Sequence, residues 1–210
     1  MYDEYGSVYV PPGYGKIRFS RKEALHIIVS VAALTFAFFM TFVYGRQLSQ
    51  DRMLYYLAAS ALAVLTGFLL HELAHKFVAQ RYGAWAEFRA YPTGLLFAMF
   101  FAFIAGIVFA APGAVYIQGR ITERQNGLIS LAGPATNLAF GAFCIGLMLV
   151  FRSDLLFIVG WINLFLAVFN LVPVGPLDGA KVFRWNKIAY AGVMGAATAM
   201  LVLTYIGFLG

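Results

Sequence analysis

Six long apolar runs decide what this chain can fold into. They cover residues 24–44, 53–79, 94–117, 128–151, 155–174 and 188–209. Each holds about 20 residues or more, the length a helix needs to cross a hydrocarbon layer. A soluble core does not use runs of this length, and 62% hydrophobic against 11% charged residues points the same way. The first run is not a cleaved leader: it follows a polar head, is too long for a leader's apolar region and lacks a small-x-small cleavage site. The expected fold is an all-α multi-pass membrane protein. It should have five to six transmembrane helices, a re-entrant segment and a short membrane-associated β-hairpin. No internal repeat and no appended soluble domain is expected.

The net charge of +6 reads as membrane topology rather than nucleic-acid binding, because basic residues gather on the cytoplasmic side of membrane proteins. If all six runs cross, the 15 basic residues split eight to seven. If run 94–117 enters and returns on one side, only Arg46, Arg52 and Arg152 fall on the far side. The second arrangement is the one the charge rule favours, with the N-terminal side cytoplasmic. It implies five crossings and one hairpin, a short helix returning as a strand. Non-helical backbone at that depth must be covered by protein or line a wet cavity.

Local signals fill in the chain. Tyr2, Tyr5, Tyr9 and Tyr14 suit an interfacial segment. Ser20 followed by Glu23 reads as a capping box opening the first helix. His26 lacks a partner four residues on and reads as interfacial. Gly83 reads as a helix C-cap. Glu87 to Pro92 alternates polar and apolar, as a strand does, and Ala114 to Ile117 could pair with it. Cys144 packs between helices. The stretch Asn170-Leu171-Val172-Pro173-Val174-Gly175-Pro176-Leu177-Asp178-Gly179 cannot continue a helix, since its prolines break the ladder.

Chemistry concentrates at His71-Glu72-Leu73-Ala74-His75, inside the second run. Histidines four apart share one helix face and can reach one metal ion, with Glu72 beside a metal-bound water. Ionisable groups within a membrane are costly unless paired or bound to metal. A catalytic zinc site usually takes three protein ligands and keeps one place open. Asp178 is the candidate third ligand, because the unwound stretch can turn it inward and the charge count brings it level with the histidines. Asp154 falls on the other side. Asn163 reads as a hydrogen-bonding link between helices.

HELAH, Gly133-Pro134-Ala135-Thr136-Asn137, and NxxPxxPLDG ending at Asp178-Gly179, in that order, resemble the site-2 protease family of intramembrane zinc metalloproteases. The resemblance covers residues 53–187. It implies one Zn²⁺ ion held by His71, His75 and Asp178, with Glu72 as the catalytic carboxylate. Asn170 would sit near the site and hold the substrate backbone. Asn137 is open between an oxyanion donor and an interhelical link. The family's strand-bearing segment corresponds to residues 87–118, with 94–111 as an insertion. The implied organisation is one membrane protease domain over 1–210: an interfacial segment at 1–22, a catalytic core at 53–187 and a final helix at 188–209. The implied partners are the lipid bilayer and a transmembrane protein substrate, cut in or near its helix by regulated intramembrane proteolysis. The implied place is the cell membrane, with the site toward the cytoplasm. A strand edge at Glu87 to Tyr91 or Gly113 to Gln118 could hold the substrate by β-addition. Three rivals are a metal-bound scaffold that grips helices without cutting them, a broken-helix transporter and a CAAX-type prenyl endopeptidase.

Overall fold

The computed structural model describes residues 17–108 and 112–209. The expected interfacial tyrosines at positions 2, 5, 9 and 14 lie outside the described residues. Helix α1 spans Arg21–Val43 and opens on Ser20, whose Oγ accepts from Glu23 N at 3.1 Å. The Glu23 side chain does not close the expected capping box. It turns inward to Lys76 instead, because a carboxylate there neutralises a cation buried among helices. A complete capping box occurs at Thr122 and Gln125, which open α5.

The second run forms α2 (Gln50–Val64), a π-turn (Leu65–Leu69) and α3 (Leu70–Arg81), a continuous stretch of 32 residues. It ends at Tyr82, and Gly83 follows with φ 78°, the left-handed residue that stops helices. Next come β1 (Trp85–Ala90), α4 (Pro92–Ala105) and β2 (Gly113–Gln118). Then α5 (Glu123–Phe151), α6 (Asp154–Asn170), α7 (Asp178–Trp185) and α8 (Lys187–Leu209) complete the chain. The protein is mostly helical, with a two-stranded antiparallel sheet. Among the described residues, four helices are long and apolar enough to cross a membrane, and α4 and α6 are shorter apolar helices.

One run is shorter than its sequence reading. Run 155–174 yields only the 17 residues of α6, because the segment bearing Pro173 and Pro176 leaves the helix after Asn170. Run 94–117 divides into α4 and β2. The excursion between the strands leaves and returns at one place: Ala90 pairs with Gly113, and Tyr91 N donates to Pro112 O at 3.0 Å. Its helix runs beside α1. Leu95, Ala98 and Ala102 bury against Leu34, Ala37 and Val64. Past the end of α1, Tyr44 Oη donates to Ile104 O in the last turn of α4 at 2.6 Å. The excursion thus follows α1 from the level of His26 to that of Tyr44 and comes back.

The hairpin is held from outside. Glu23 Oε1 accepts from Phe88 N at 2.9 Å, and His26 Nδ1 accepts from Ala90 N at 3.1 Å. Lys76 Nζ and Gln80 Nε2 donate to Ala86 O at 3.2 and 3.0 Å. Lys76 and Glu23 are fully buried and meet at 2.6–2.7 Å. Removing either partner alone strands the other charge, at a typical cost of about 3–5 kcal/mol.

Candidate metal centre

Two helices bring the three predicted ligands together. His71 and His75 lie one turn apart on α3 and are buried. Asp178 is the first residue of α7. That helix is seated by close contacts. Any Cβ at Gly179 would run into Leu171 O, and one at Gly127 would meet the Trp185 ring. Val182 is fully buried beneath the helix. The carboxylate is therefore carried by a helix that the glycine alone allows to close against the end of α6.

The ligand atoms form a triangle. His71 Nε2 and His75 Nε2 are 2.9 Å apart, and Asp178 Oδ2 lies 3.2 and 3.1 Å from them. Donors about 2.0–2.1 Å from a tetrahedral zinc stand about 3.3 Å from one another. The triangle has nearly those edges.

Tautomers sharpen the point. His75 Nδ1 faces Ile129 O at 2.7 Å, and a carbonyl only accepts. That nitrogen therefore carries the proton. Asn163 Nδ2 donates to Val159 O and Thr66 Oγ1 at 2.9 and 2.8 Å, which fixes its Oδ1 as the atom facing Asn137. Asn137 Nδ2 donates to that Oδ1 at 3.1 Å and to Gly67 O at 2.9 Å. Asn137 Oδ1 is thus the atom that faces His71 Nδ1, and His71 is protonated there too. Both Nε2 lone pairs then point at a carboxylate oxygen. Three potential ligand atoms thus converge, an arrangement that a metal ion would satisfy. Among the described residues, His71, His75 and Asp178 form the one group placed to hold a metal ion.

The surrounding helices make room for it. A Cβ at Gly133 would collide with both Nε2 atoms, so the glycine of α5 leaves space at the ligand triangle. The π-turn serves the same site. Such a turn widens the helix by one residue and presents a backbone carbonyl to other partners. Gly67 O accepts from Asn137 there, and the glycine lets Leu166 of α6 approach. Asn137 is therefore committed to orienting His71, which resolves its open reading toward the structural role. Asn163 links α6 to the π-turn through Thr66, as expected.

Glu72 lies on the next position of α3 and accepts from Val115 N of β2 at 3.1 Å through Oε2. Asn170 ends α6, with its Nδ2 donating to Leu166 O of its own helix at 3.0 Å. The geometry does not draw its amide into the ligand triangle. His26 serves β1 and not the metal. Sequence reasoning missed the Glu23–Lys76 pair, although a lysine directly after His75 in an apolar run demands a counter-charge. It also missed the π-turn, for which Gly67 is the only local sign.

Comparison with known proteins adds the lineage. Residues 150–209 match peptidase family M50. The chain is 42% identical over 184 residues to a Methanocaldococcus jannaschii protein provisionally named zinc metalloprotease MJ0611, covering 83% of this chain and 90% of that one. The chain belongs to peptidase family M50, the site-2 protease family. Other relatives carry provisional zinc metalloprotease names as well. YwhC of Bacillus subtilis is 33% identical over 163 residues, covering 64% of this chain and 73% of that protein. Rip3 of Mycobacterium tuberculosis is 34% identical over 164 residues, and the match spans 71% of this chain but 37% of that longer protein. No solved structure matches. As an M50 member with four membrane-length apolar helices, the chain is a membrane metalloprotease. Two imidazoles and one carboxylate around an open place form the donor set of a catalytic zinc site.

Proposed function

We propose that this protein is an intramembrane zinc endopeptidase of the HExxH type, cutting a peptide bond in or near the transmembrane helix of a membrane-protein substrate as a step of regulated intramembrane proteolysis. His71, His75 and Asp178 are its metal ligands. The observation that carries this reading is the convergence of three ligand atoms, two of them on imidazoles oriented by Asn137 and Ile129 O, beside Glu72. When bound there, zinc supplies Lewis acidity that polarises a carbonyl and lowers the pKa of a water. Glu72 takes the proton of the attacking water and hands it to the departing amine. Asn137 and Ile129 O hold the imidazoles in the tautomer that presents Nε2. Asn170 holds the substrate backbone near the site once its amide leaves Leu166 O. The catalytic core covers 53–187 within one membrane domain, flanked by the 1–22 segment and the 188–209 helix.

The substrate docks as an extended strand on β2. Alternate groups of an antiparallel pair point outward. Phe88 N and Ala90 N leave the ladder for α1, so their partners Val115 and Gly113 turn their own groups to the other side, where Glu72 waits. The outer edge of β1 is occupied by side chains. Among the described residues, only Glu72 bonds the outer edge of β2. A helix shields its own peptide bonds, so a cleavable segment must unwind, and a strand edge accepts it in that form. The excursion 91–112 is a re-entrant hairpin, and its paired ends support that topology. The site lies toward the cytoplasmic face of the cell membrane, on the strength of the basic-residue split.

The test is cleavage of a single-span model substrate by purified protein, with Glu72→Gln compared at equal metal content. Loss of cleavage with metal retained supports the protease. Unchanged activity favours a scaffold that only grips helices.

A further inference from the structure

A two-stranded ribbon is marginal by itself, yet β2 must sit at a fixed height beside Glu72. Among the described residues, its only strand neighbour is β1. The outer edge of β1 is bonded at every second residue, 86, 88 and 90, by side chains of two helices. Glu23 accepts from Phe88 N, His26 accepts from Ala90 N, and Lys76 with Gln80 donates to Ala86 O. These contacts stand where a third strand would be. The two ionic members are fully buried and bonded to each other, so each fixes the other's direction. Lys76 is also the residue after His75, so the strand is tied to the same turn of α3 that carries the metal ligand. The Phe19 ring lies 4.3 Å from Lys76 Nζ and closes the outside of the pair.

We infer that the buried Glu23–Lys76 pair is a positioning device: it acts as a surrogate strand edge that blocks β1 and holds β2 at the height where an extended substrate lies across Glu72. This inference rests on the β-docking reading above. The bonds it needs are specific. Position 23 must accept from Phe88 N, and position 76 must donate to Ala86 O. A neutral pair that keeps both bonds should suffice, whereas an apolar pair of similar volume should not.

The experiment measures kcat and KM for the model single-span substrate with full-length protein in detergent, at matched metal content and melting temperature. For E23L/K76M the expected result is a KM raised about tenfold with kcat little changed, because ground-state docking is what is lost. For E23Q/K76Q both constants should stay near wild type. A purely structural role would instead lower activity per protein through unfolded material, with KM unmoved. If E23L/K76M does not fold, His26→Leu supplies the milder case, with faster amide exchange at Ala90 and a raised KM expected. Ile117→Pro on the outer edge of β2 serves as the control for docking. If it raises KM while E23L/K76M or His26→Leu does not, the positioning role is overturned alone. If Ile117→Pro leaves KM unchanged, the docking reading falls, and the inference with it.

Discussion

At the scale of single residues, the site depends on two groups that stand beside the histidines. Asn137 holds His71 through Nδ1, the kind of outer contact whose loss typically costs 10–100-fold in metal affinity. Asn137→Ala should therefore weaken metal binding by about that factor in a chelator-competition titration, while helical content by circular dichroism stays constant. Gly133 gives the second case, since any Cβ there occupies the space beside both Nε2 atoms. Gly133→Ala should strip the metal and abolish cleavage. A Gly133→Ala protein with full metal occupancy would show that the space is not needed. The three residues placed to hold a metal ion were legible in the sequence: His71 and His75 by spacing, and Asp178 by a chain break next to a carboxylate. Asn137 was legible only as a polar residue in an apolar helix. Its partner is chosen by the π-turn, of which Gly67 is the only local sign.

At the scale of elements, α7 and the hairpin carry the argument. The sequence marks where α6 must unwind, but not that an eight-residue helix follows and delivers Asp178 from its first position. That helix is short and amphipathic, and it is set by close packing of Gly179 on Leu171 O and Trp185 on Gly127. Gly179→Ala should push the carboxylate away from the histidines. Metal content and cleavage should fall together, whereas an equal loss of cleavage with metal retained would place the glycine's role elsewhere. The hairpin was visible as two β-prone stretches flanking an apolar segment. Which edge remains open was not visible, because it is decided by Glu23, His26, Lys76 and Gln80, residues up to 65 positions distant from their strand partners. Glu23 in particular has two local uses, cap or counter-ion, and only the tertiary fold chooses between them.

At the scale of the whole molecule, a count of basic residues and the meeting of Ala90 with Gly113 support one topology from independent directions. A reporter fused after Asn126 should read as cytoplasmic, and an extracytoplasmic signal would refute the re-entrant excursion. The membrane class was evident from the apolar runs. The charge count already implied a short helix returning as a strand over 94–117, but the shortening of α6 was not evident, since hydropathy does not distinguish lipid from protein as the apolar surrounding. The central claim is that two histidines and one aspartate, 103 positions apart at their nearest (Asp178 from His75), hold one metal ion. Elemental analysis of the purified protein by mass spectrometry tests it most directly. The account predicts about one zinc per chain in the wild type and nearly none in His71→Ala and Asp178→Ala; full zinc in Asp178→Ala, or none in the wild type, would contradict it.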